Sequence, residues 1–336
     1  MNLQINDSIK SPGGTLCCPV CKDPLVESGG LNVCEGCRSG WPIIDGIPSF
    51  VSTDVGESRF YEEWHKEQTV NRRNGLFREK VRRILKPLRY FTGKRERLFS
   101  AAFANQKRGS VLDLACGTGQ SMYCEFGPVT GVDLSMAALR DLQHRGIYER
   151  VVQADAKRLP FPDGSFEYIV SSDFIGHVPI IEKGKVLSEM GRVLAPDGIM
   201  VHVVETDSTN VCFRFAHRYP DLFKKYFVER IGGHYGLEMP TEVVRRFQEQ
   251  GFRVVRVEKM WGAVWDTRQY VTQFGNEYRV YSRILKLWVA ACRLLSSNPL
   301  TMILTDAFLG AVSNMVDRFR PLDNAQGIFL VAQKIS

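Results

Sequence analysis

The chain of 336 residues lacks any run of 18 uncharged apolar residues, so the sequence alone offers no candidate membrane span. Its first residues do not follow the basic-then-apolar order of a secretory leader, and a cytoplasmic location is the expectation. No internal repeat or low-complexity segment is evident, and a hydrophobic share of 44% with 24% charged residues is ordinary for a globular protein. No Gly-Lys-Ser/Thr triplet occurs, which excludes a P-loop. The dinucleotide pattern Gly-x-Gly-x-x-Gly is also incomplete at Gly117-Thr118-Gly119-Gln120-Ser121-Met122, where Met122 stands in place of the third glycine.

What is present is a strand that ends in a glycine-rich turn, Val111-Leu112-Asp113-Leu114-Ala115-Cys116-Gly117-Thr118-Gly119. A second strand, Thr130-Gly131-Val132-Asp133-Leu134, carries an acid at its carboxyl end, and a third, Val151-Val152-Gln153-Ala154-Asp155-Ala156, carries another. Strand tips of this kind can converge on one nucleoside at the edge of an α/β sheet. Gly117 and Gly119 permit backbone to lie against a ligand. Asp133 is placed to accept both ribose hydroxyls, and Asp155 to accept from an adenine amine with Ala156 N–H facing the ring. With no phosphate cradle, the ligand needs a ribose and a base but no phosphate.

The segments VLDLACGTG, GVD, QADAKRLPF, FEYIVSSDFIGHV and MGRVLAPDGIMV, in this order, resemble class I S-adenosylmethionine-dependent methyltransferases. The resemblance covers roughly residues 109–205 and is nearest to the group that contains the quinone-biosynthesis methyltransferases. It implies an α/β fold, a doubly wound Rossmann-like sheet. It also implies a cofactor-contacting set of Asp113, Ala115, Gly117, Gly119, Asp133, Leu134, Asp155, Ala156 and Ser172, in which Asp113 helps order the loop. The methyltransferase domain is expected over residues 106–336.

Cys18-Pro19-Val20-Cys21 and Cys34-Glu35-Gly36-Cys37 form two CxxC knuckles about a dozen residues apart. Thiolates at this spacing can close a structural tetrahedral zinc site, with a redox pair as the alternative. Cys17 competes with Cys18 for one ligand position. Together with Gly40-Trp41-Pro42-Ile43-Ile44-Asp45-Gly46-Ile47-Pro48-Ser49-Phe50, the knuckles resemble small zinc-ribbon proteins that activate RNA and protein methyltransferases. A ribbon is expected over residues 15–51, with metal compensating for a core too small to fold alone.

After a linker at Ser52–Ser58, a basic helical region is expected over residues 59–105. Residues 72–97 hold eleven Lys/Arg and two Glu, against a chain total of +7, so the whole basic excess is local. Leu76, Phe77, Val81, Ile84, Leu85 and Leu88 fall at helical spacing, with Pro87 as a kink, giving an amphipathic helix suited to anionic lipid or nucleic acid, or simply a solvated face. Ser135 reads as a helix cap, Pro196-Asp197-Gly198 as a turn before a strand at Ile199–Glu205, and Thr241 as the cap of a helix to Gln250.

Between a strand at Phe252–Lys259 and a last strand at Gly327–Gln333 lies a helical insertion, about 261–325. Val271, Phe274, Tyr278, Tyr281, Leu285, Trp288, Cys292 and Leu295 make a heptad stripe, expected as one helix of a hairpin whose second helix starts at Leu300. Such a hairpin could cover the active site, pair two protomers or touch lipid.

The donor sulfonium is already activated, so alignment and exclusion of water matter most, and a base is needed only where the acceptor keeps its proton. Ser171-Ser172-Asp173-Phe174-Ile175-Gly176-His177-Val178 lacks the Asn/Asp-Pro-Pro-Tyr/Phe signature of amino-group methylation, which favours O or C acceptors. His177, Asp173 and His234 are the catalytic candidates, with Tyr235, Glu205 and His202 further ones by position. The expected acceptor is small or lipid-like; RNA gripped by ribbon and basic helix, or a non-catalytic partner subunit, are the alternatives.

Overall fold

A computed structural model of the chain describes residues 15–51, 62–63, 90–229, 233–262 and 264–335. The expectations for the linker and nearly all of the basic amphipathic stretch lie outside these described residues.

Four short antiparallel strands, β1 (Leu25–Ser28), β2 (Leu31–Cys34), β3 (Gly40–Ile44) and β4 (Ile47–Pro48), form a small sheet in that order. Gly29 and Gly30 both take positive φ, 58° and 77°, as the tight β1–β2 hairpin turn demands. This sheet docks on the large sheet of the chain rather than standing apart. Leu16, Cys18, Leu25, Cys34 and Phe50 share one buried core with Leu112, Val152 and Phe161.

After helix α1 (Tyr90–Phe103), the main sheet is built from β5 (Val111–Leu114), β6 (Val129–Asp133), β7 (Arg150–Gln153), β8 (Phe166–Ser172), β9 (Leu194–Glu205), β10 (Phe252–Trp261) and β11 (Gly327–Lys334). Its spatial order is β10-β11-β9-β8-β5-β6-β7. The pairs from β7 to β9 are parallel, whereas β11 runs antiparallel to both neighbours, so the sheet is mixed. Every residue of β5 and β6 is buried, as a sheet covered on both faces requires. The strand order reverses beside β5, and crevices open outside the carboxyl ends at such a point.

The edge strand β7 is covered by the N-terminal sheet: Phe50 N donates to Gln153 O at 2.8 Å, and Cys17 N donates to Pro160 O at 3.0 Å. An edge that could pair with another chain is thereby closed.

Helix α2 (Met136–His144) is capped as expected, Ser135 Oγ accepting from Ala138 N. Helix α3 (Lys183–Val193) runs directly into β9. Pro196-Asp197-Gly198 therefore lies inside that strand, bulging where Phe166 pairs with Leu194 and Tyr168 with Ile199. Two short helices, α4 (Val211–Ala216) and α5 (Pro220–Phe223), precede α6 (Pro240–Glu249). Thr241 does not cap α6: Met239 is the cap residue, and Asp323 accepts from Thr241 N at 2.8 Å and Thr241 Oγ1 at 2.9 Å. A distant carboxylate does the work assigned to the local hydroxyl.

The expected long heptad helix is broken into α7 (Thr267–Phe274), a 3-10 turn (Glu277–Tyr281) and α8 (Arg283–Ser297), followed by α9 (Pro299–Asp317). Gly275 ends α7 with its N–H on Val271 O, Asn276 caps the 3-10 turn, and Ser282 starts α8 anew by accepting from Leu285 N. The break turns Phe274 and Tyr278 into a buried aromatic cluster with Phe213, Phe227 and Trp265. Among the described residues α9 alone is long and apolar enough to cross a membrane, although a third of it is buried and Asp306 accepts from Thr267 N and Oγ1 at 3.0 Å.

Candidate active site

The turn after β5 combines three left-handed residues, Ala115 (φ 57°), Gly117 (φ 50°) and Gly119 (φ 76°). A Cβ on Gly119 would stand 2.5 Å from Leu142 Cδ1, so only glycine fits there. Asp133 holds the turn down: its Oδ2 accepts from Gly117 N and its Oδ1 from Ser135 N, both at 2.8 Å. Each carboxylate oxygen keeps a second lone pair for ribose hydroxyls.

Asp113 is buried and accepts a 2.6 Å hydrogen bond from Tyr148 Oη, which itself accepts from Gln120 N at 2.7 Å. Asp113 is thus linked to the end of the glycine turn through Tyr148. Burial pushes the Asp113 carboxyl up to about 8, with Asp133 adding to the rise and Tyr148 opposing it. Gly131 makes room for this tyrosine, since a Cβ there would meet its ring at 2.9 Å. Tyr148 was missed in the sequence because it stands outside every glycine or acid pattern.

Asp155 and Ala156 are half-buried at the tip of β7, Asp155 Oδ1 accepting from Lys157 N at 2.9 Å. Leu134 O accepts from Gln153 Nε2 at 2.8 Å. In the register Asp133 lies opposite Gln153, and Leu114 opposite Val132. The three tips therefore stand side by side, and their polar groups suit an adenosine: glycine backbone, ribose acceptors on Asp133, and an amine acceptor on Asp155.

Beyond the tip of β8, Ser172 Oγ lies 3.0 Å from Tyr123 Oη. Asp173 adopts φ 59° and pairs with Arg95 of α1 at 2.6 Å. Burial raises Asp173 to about 6, Glu205 adding to the rise while Arg95 opposes it. Arg95 was visible in the sequence only as one charge in a basic run.

Over the ends of β8, β9 and β10 sits a cavity of about 250 Å³. Phe213, Phe227 and Trp261 wall it, Gln269, Gln273 and Gln326 add polar edges, and Asp173, Glu205 and His234 line it too. Helix α7 of the insertion thus contributes to the cavity, one of the three uses considered for that segment. Glu205 Oε1 lies 3.3 Å from His234 Nε2 and 3.9 Å from His177 Nε2, and the two imidazoles stand 4.4 Å apart. Burial alone would raise the Glu205 carboxyl, but His234, His177 and Arg95 hold it below the usual range.

The structure thus brings Asp173, His177, Glu205 and His234 to one place. His202 is elsewhere: strand alternation turns it to the opposite face, where its Nδ1 meets Ser171 Oγ at 2.8 Å and burial drives its pKa down to about 3. Tyr235 is 56% exposed and faces solvent.

In the N-terminal sheet, the Sγ atoms of Cys18, Cys21, Cys34 and Cys37 all lie within 4.8 Å of one another. Cys17 lies outside this group, its backbone N–H donating instead to Pro160 O in the connection between β7 and β8.

A glycine turn, three neighbouring polar strand tips and a separate cavity at the next tips leave room for an adenosyl ligand beside a second, smaller molecule, the layout of a transferase. The family model and the sequence relatives agree. A family model described as a methyltransferase domain matches residues 112–202. Demethylmenaquinone methyltransferase of Listeria monocytogenes serotype 4b is 31% identical over 175 residues, spanning 45% of this chain and 73% of that protein. The enzyme of that name from Staphylococcus aureus strain JH9 is 32% identical over 181 residues, or 47% and 74%. Among solved structures, a putative methyltransferase from Bacillus halodurans aligns with TM-score 0.47 and 18% identity over 72% of this chain and 99% of that one. The chain belongs to the class I S-adenosylmethionine-dependent methyltransferases, and proteins named demethylmenaquinone methyltransferase are among its relatives. It is a methyltransferase that takes its methyl group from S-adenosylmethionine.

Proposed function

We propose that the enzyme methylates a reduced quinone-like, lipid-soluble acceptor on carbon or oxygen. The observation that carries this reading is the aromatic cavity with an unused acceptor in its lining: Gln273 is buried and its Oε1 has no hydrogen-bond partner. A buried acceptor of this kind is costly unless a ligand supplies a donor, and a quinol hydroxyl is such a donor. Phe213, Phe227 and Trp261 provide flat apolar surface for its ring. The relatives named demethylmenaquinone methyltransferase point the same way.

Bound S-adenosylmethionine supplies an electrophilic methyl group. In this reading Asp133 and the Gly117–Gly119 turn fix the adenosyl end, and Asp155 binds the adenine amine. Asp173, held by Arg95, takes the acceptor's proton, while the paired Glu205 and His234 set the acceptor's orientation.

Helices α8 and α9 support delivery from a membrane. Leu300, Leu304, Phe308 and Met315 repeat along one exposed face of α9, and α8 exposes Ile284, Leu287 and Leu294 beside Arg283, Lys286 and Arg293. Apolar side chains flanked by cations suit the cytoplasmic face of an anionic bilayer. We further propose that the four gathered cysteines hold one structural zinc, since four thiolates complete a tetrahedral shell.

Titration of the donor-bound enzyme with a reduced, short-tailed demethylated naphthoquinol, followed by tryptophan fluorescence, tests the acceptor. Saturable quenching that is lost in Trp261→Ala is expected; no quenching, with RNA binding instead, would overturn the reading.

A further inference from the structure

His177, Glu205 and His234 come from three different elements: the loop after β8, the end of β9, and the segment before α6. One ligating atom of each lies within 4.8 Å of the others. The separations are 3.3 Å from His234 Nε2 to Glu205 Oε1 and 3.9 Å from His177 Nε2 to the same oxygen. Metal–nitrogen and metal–oxygen bonds of about 2.0–2.2 Å place tetrahedral ligand atoms roughly 3.3–3.5 Å apart. One pair already stands at that spacing and the other needs a small rotation of an imidazole.

Two further features suit a cation. The Phe227 backbone lies close to the His234 imidazole, whose Nε2 is turned to Glu205. A backbone group beside the ring commonly orients a metal-bound histidine. Glu205 also keeps its Oε2 buried with no hydrogen-bond partner, a full lone-pair set beside two imidazoles. The imidazoles face Oε1, so Oε2 is left as a donor atom that a cation can take up. Neither the motifs in the sequence nor the family comparison assigns such a group here.

We propose that His177, Glu205 and His234 form a second metal centre, a two-histidine, one-carboxylate site for a divalent transition cation such as zinc, opening onto the acceptor cavity. Three protein ligands leave a coordination position free, in contrast to the four-cysteine group of the N-terminal sheet. The use of that position rests on the acceptor reading above: it receives the oxygen of a quinol. Coordination lowers the hydroxyl's pKa, the proton passes to Asp173 and then to solvent, and the acceptor becomes an oxyanion or its enolate. Its electron pair then forms the new bond to methyl as the S–CH₃ bond breaks, the pair of that bond staying on sulfur.

The test uses the full chain with its cysteine site zinc-loaded and free metal removed. Calorimetric titration with Zn²⁺ should give one additional equivalent. Titration with Co²⁺ should give visible d–d bands without a new thiolate charge-transfer band. His177→Ala and His234→Ala should each weaken this equivalent by at least ~100-fold while S-adenosylmethionine still binds, and Asp173→Asn should keep it. Should either alanine variant lose the donor as well, Glu205→Gln carries the same expectation in its place. An absent second equivalent, or one that survives all three ligand variants, overturns the proposal. Methyl transfer to a quinol with no second metal rejects the metal centre alone; a second metal with no quinol transfer rejects the acceptor reading alone.

Discussion

Tyr148 stands between Asp113 and the cofactor turn: its hydroxyl donates to Asp113 Oδ2 at 2.6 Å and accepts from Gln120 N at 2.7 Å. The geometry of the glycine turn thereby depends on a residue 28 or more positions away in the chain. Tyr148→Phe leaves one carboxylate oxygen and one backbone N–H without their partner. A stability loss of about 1–2 kcal/mol is expected in chemical denaturation. Donor affinity should fall with it, read by calorimetry.

Asp113 itself predicts a pH trend. Its pKa is about 8 in the folded protein and near 3.8 in an exposed carboxyl, because burial opposes the charged form. Between these values the native state holds a proton that the unfolded chain has released, so this group's contribution to stability falls as pH rises through the window. Denaturation midpoints measured from pH 4 to 8 should decline in the native protein and decline less in Asp113→Asn.

Two glycines separate strain from steric fit. Gly119→Ala meets Leu142 at 2.5 Å on top of a positive φ, whereas Gly146 has φ 59° with nothing within 4 Å. The backbone term alone costs about 1–2 kcal/mol. Gly146→Ala should lose about that much stability and keep donor affinity; Gly119→Ala should lose more and bind S-adenosylmethionine at least ~10-fold more weakly, by thermal melting and calorimetry.

The N-terminal sheet reaches the cofactor through Gln153. Ser49 Oγ donates to Gln153 Oε1 at 2.6 Å, and Gln153 Nε2 donates to Leu134 O, next to Asp133. If the four cysteines hold zinc as proposed, a chelator, or Cys34→Ser, should weaken donor binding by roughly 3–10-fold as well as loosen the sheet, on the scale of one or two hydrogen bonds. Unchanged affinity in a chelated sample with an unfolded ribbon would reject the coupling.

Gln273→Leu removes the unused cavity acceptor while preserving volume. The KM for a quinol should rise by about 10-fold, with kcat changed less, the value of one hydrogen bond to a bound group. Steady-state kinetics at saturating donor reads the split.

The fold around the glycine turn was legible in the sequence because its signals are local. A glycine turn and acids at strand ends carry both identity and position, the register of β5, β6 and β7 sets their tips side by side, and Asp133 accepts from Gly117 N. Tyr148 and Arg95 were not legible, since each acts across the fold through one side chain. His177 and His234 were picked by position, but their common partner Glu205 is what unites them; His202, three residues before it, faces the other way because side chains alternate along β9. The heptad stripe failed at Gly275, where a Cβ would meet Val271 O at 2.1 Å and the chain turns to bury aromatics instead of extending a helix.

The central claim is tested by mass spectrometry of a reduced demethylated naphthoquinol incubated with the purified enzyme and methyl-deuterated S-adenosylmethionine. The account predicts a product heavier by one labelled methyl group, formed at a rate that falls at least ~10-fold in Asp173→Asn. An unlabelled quinol after full donor turnover, with label recovered in RNA or another acceptor, would contradict it.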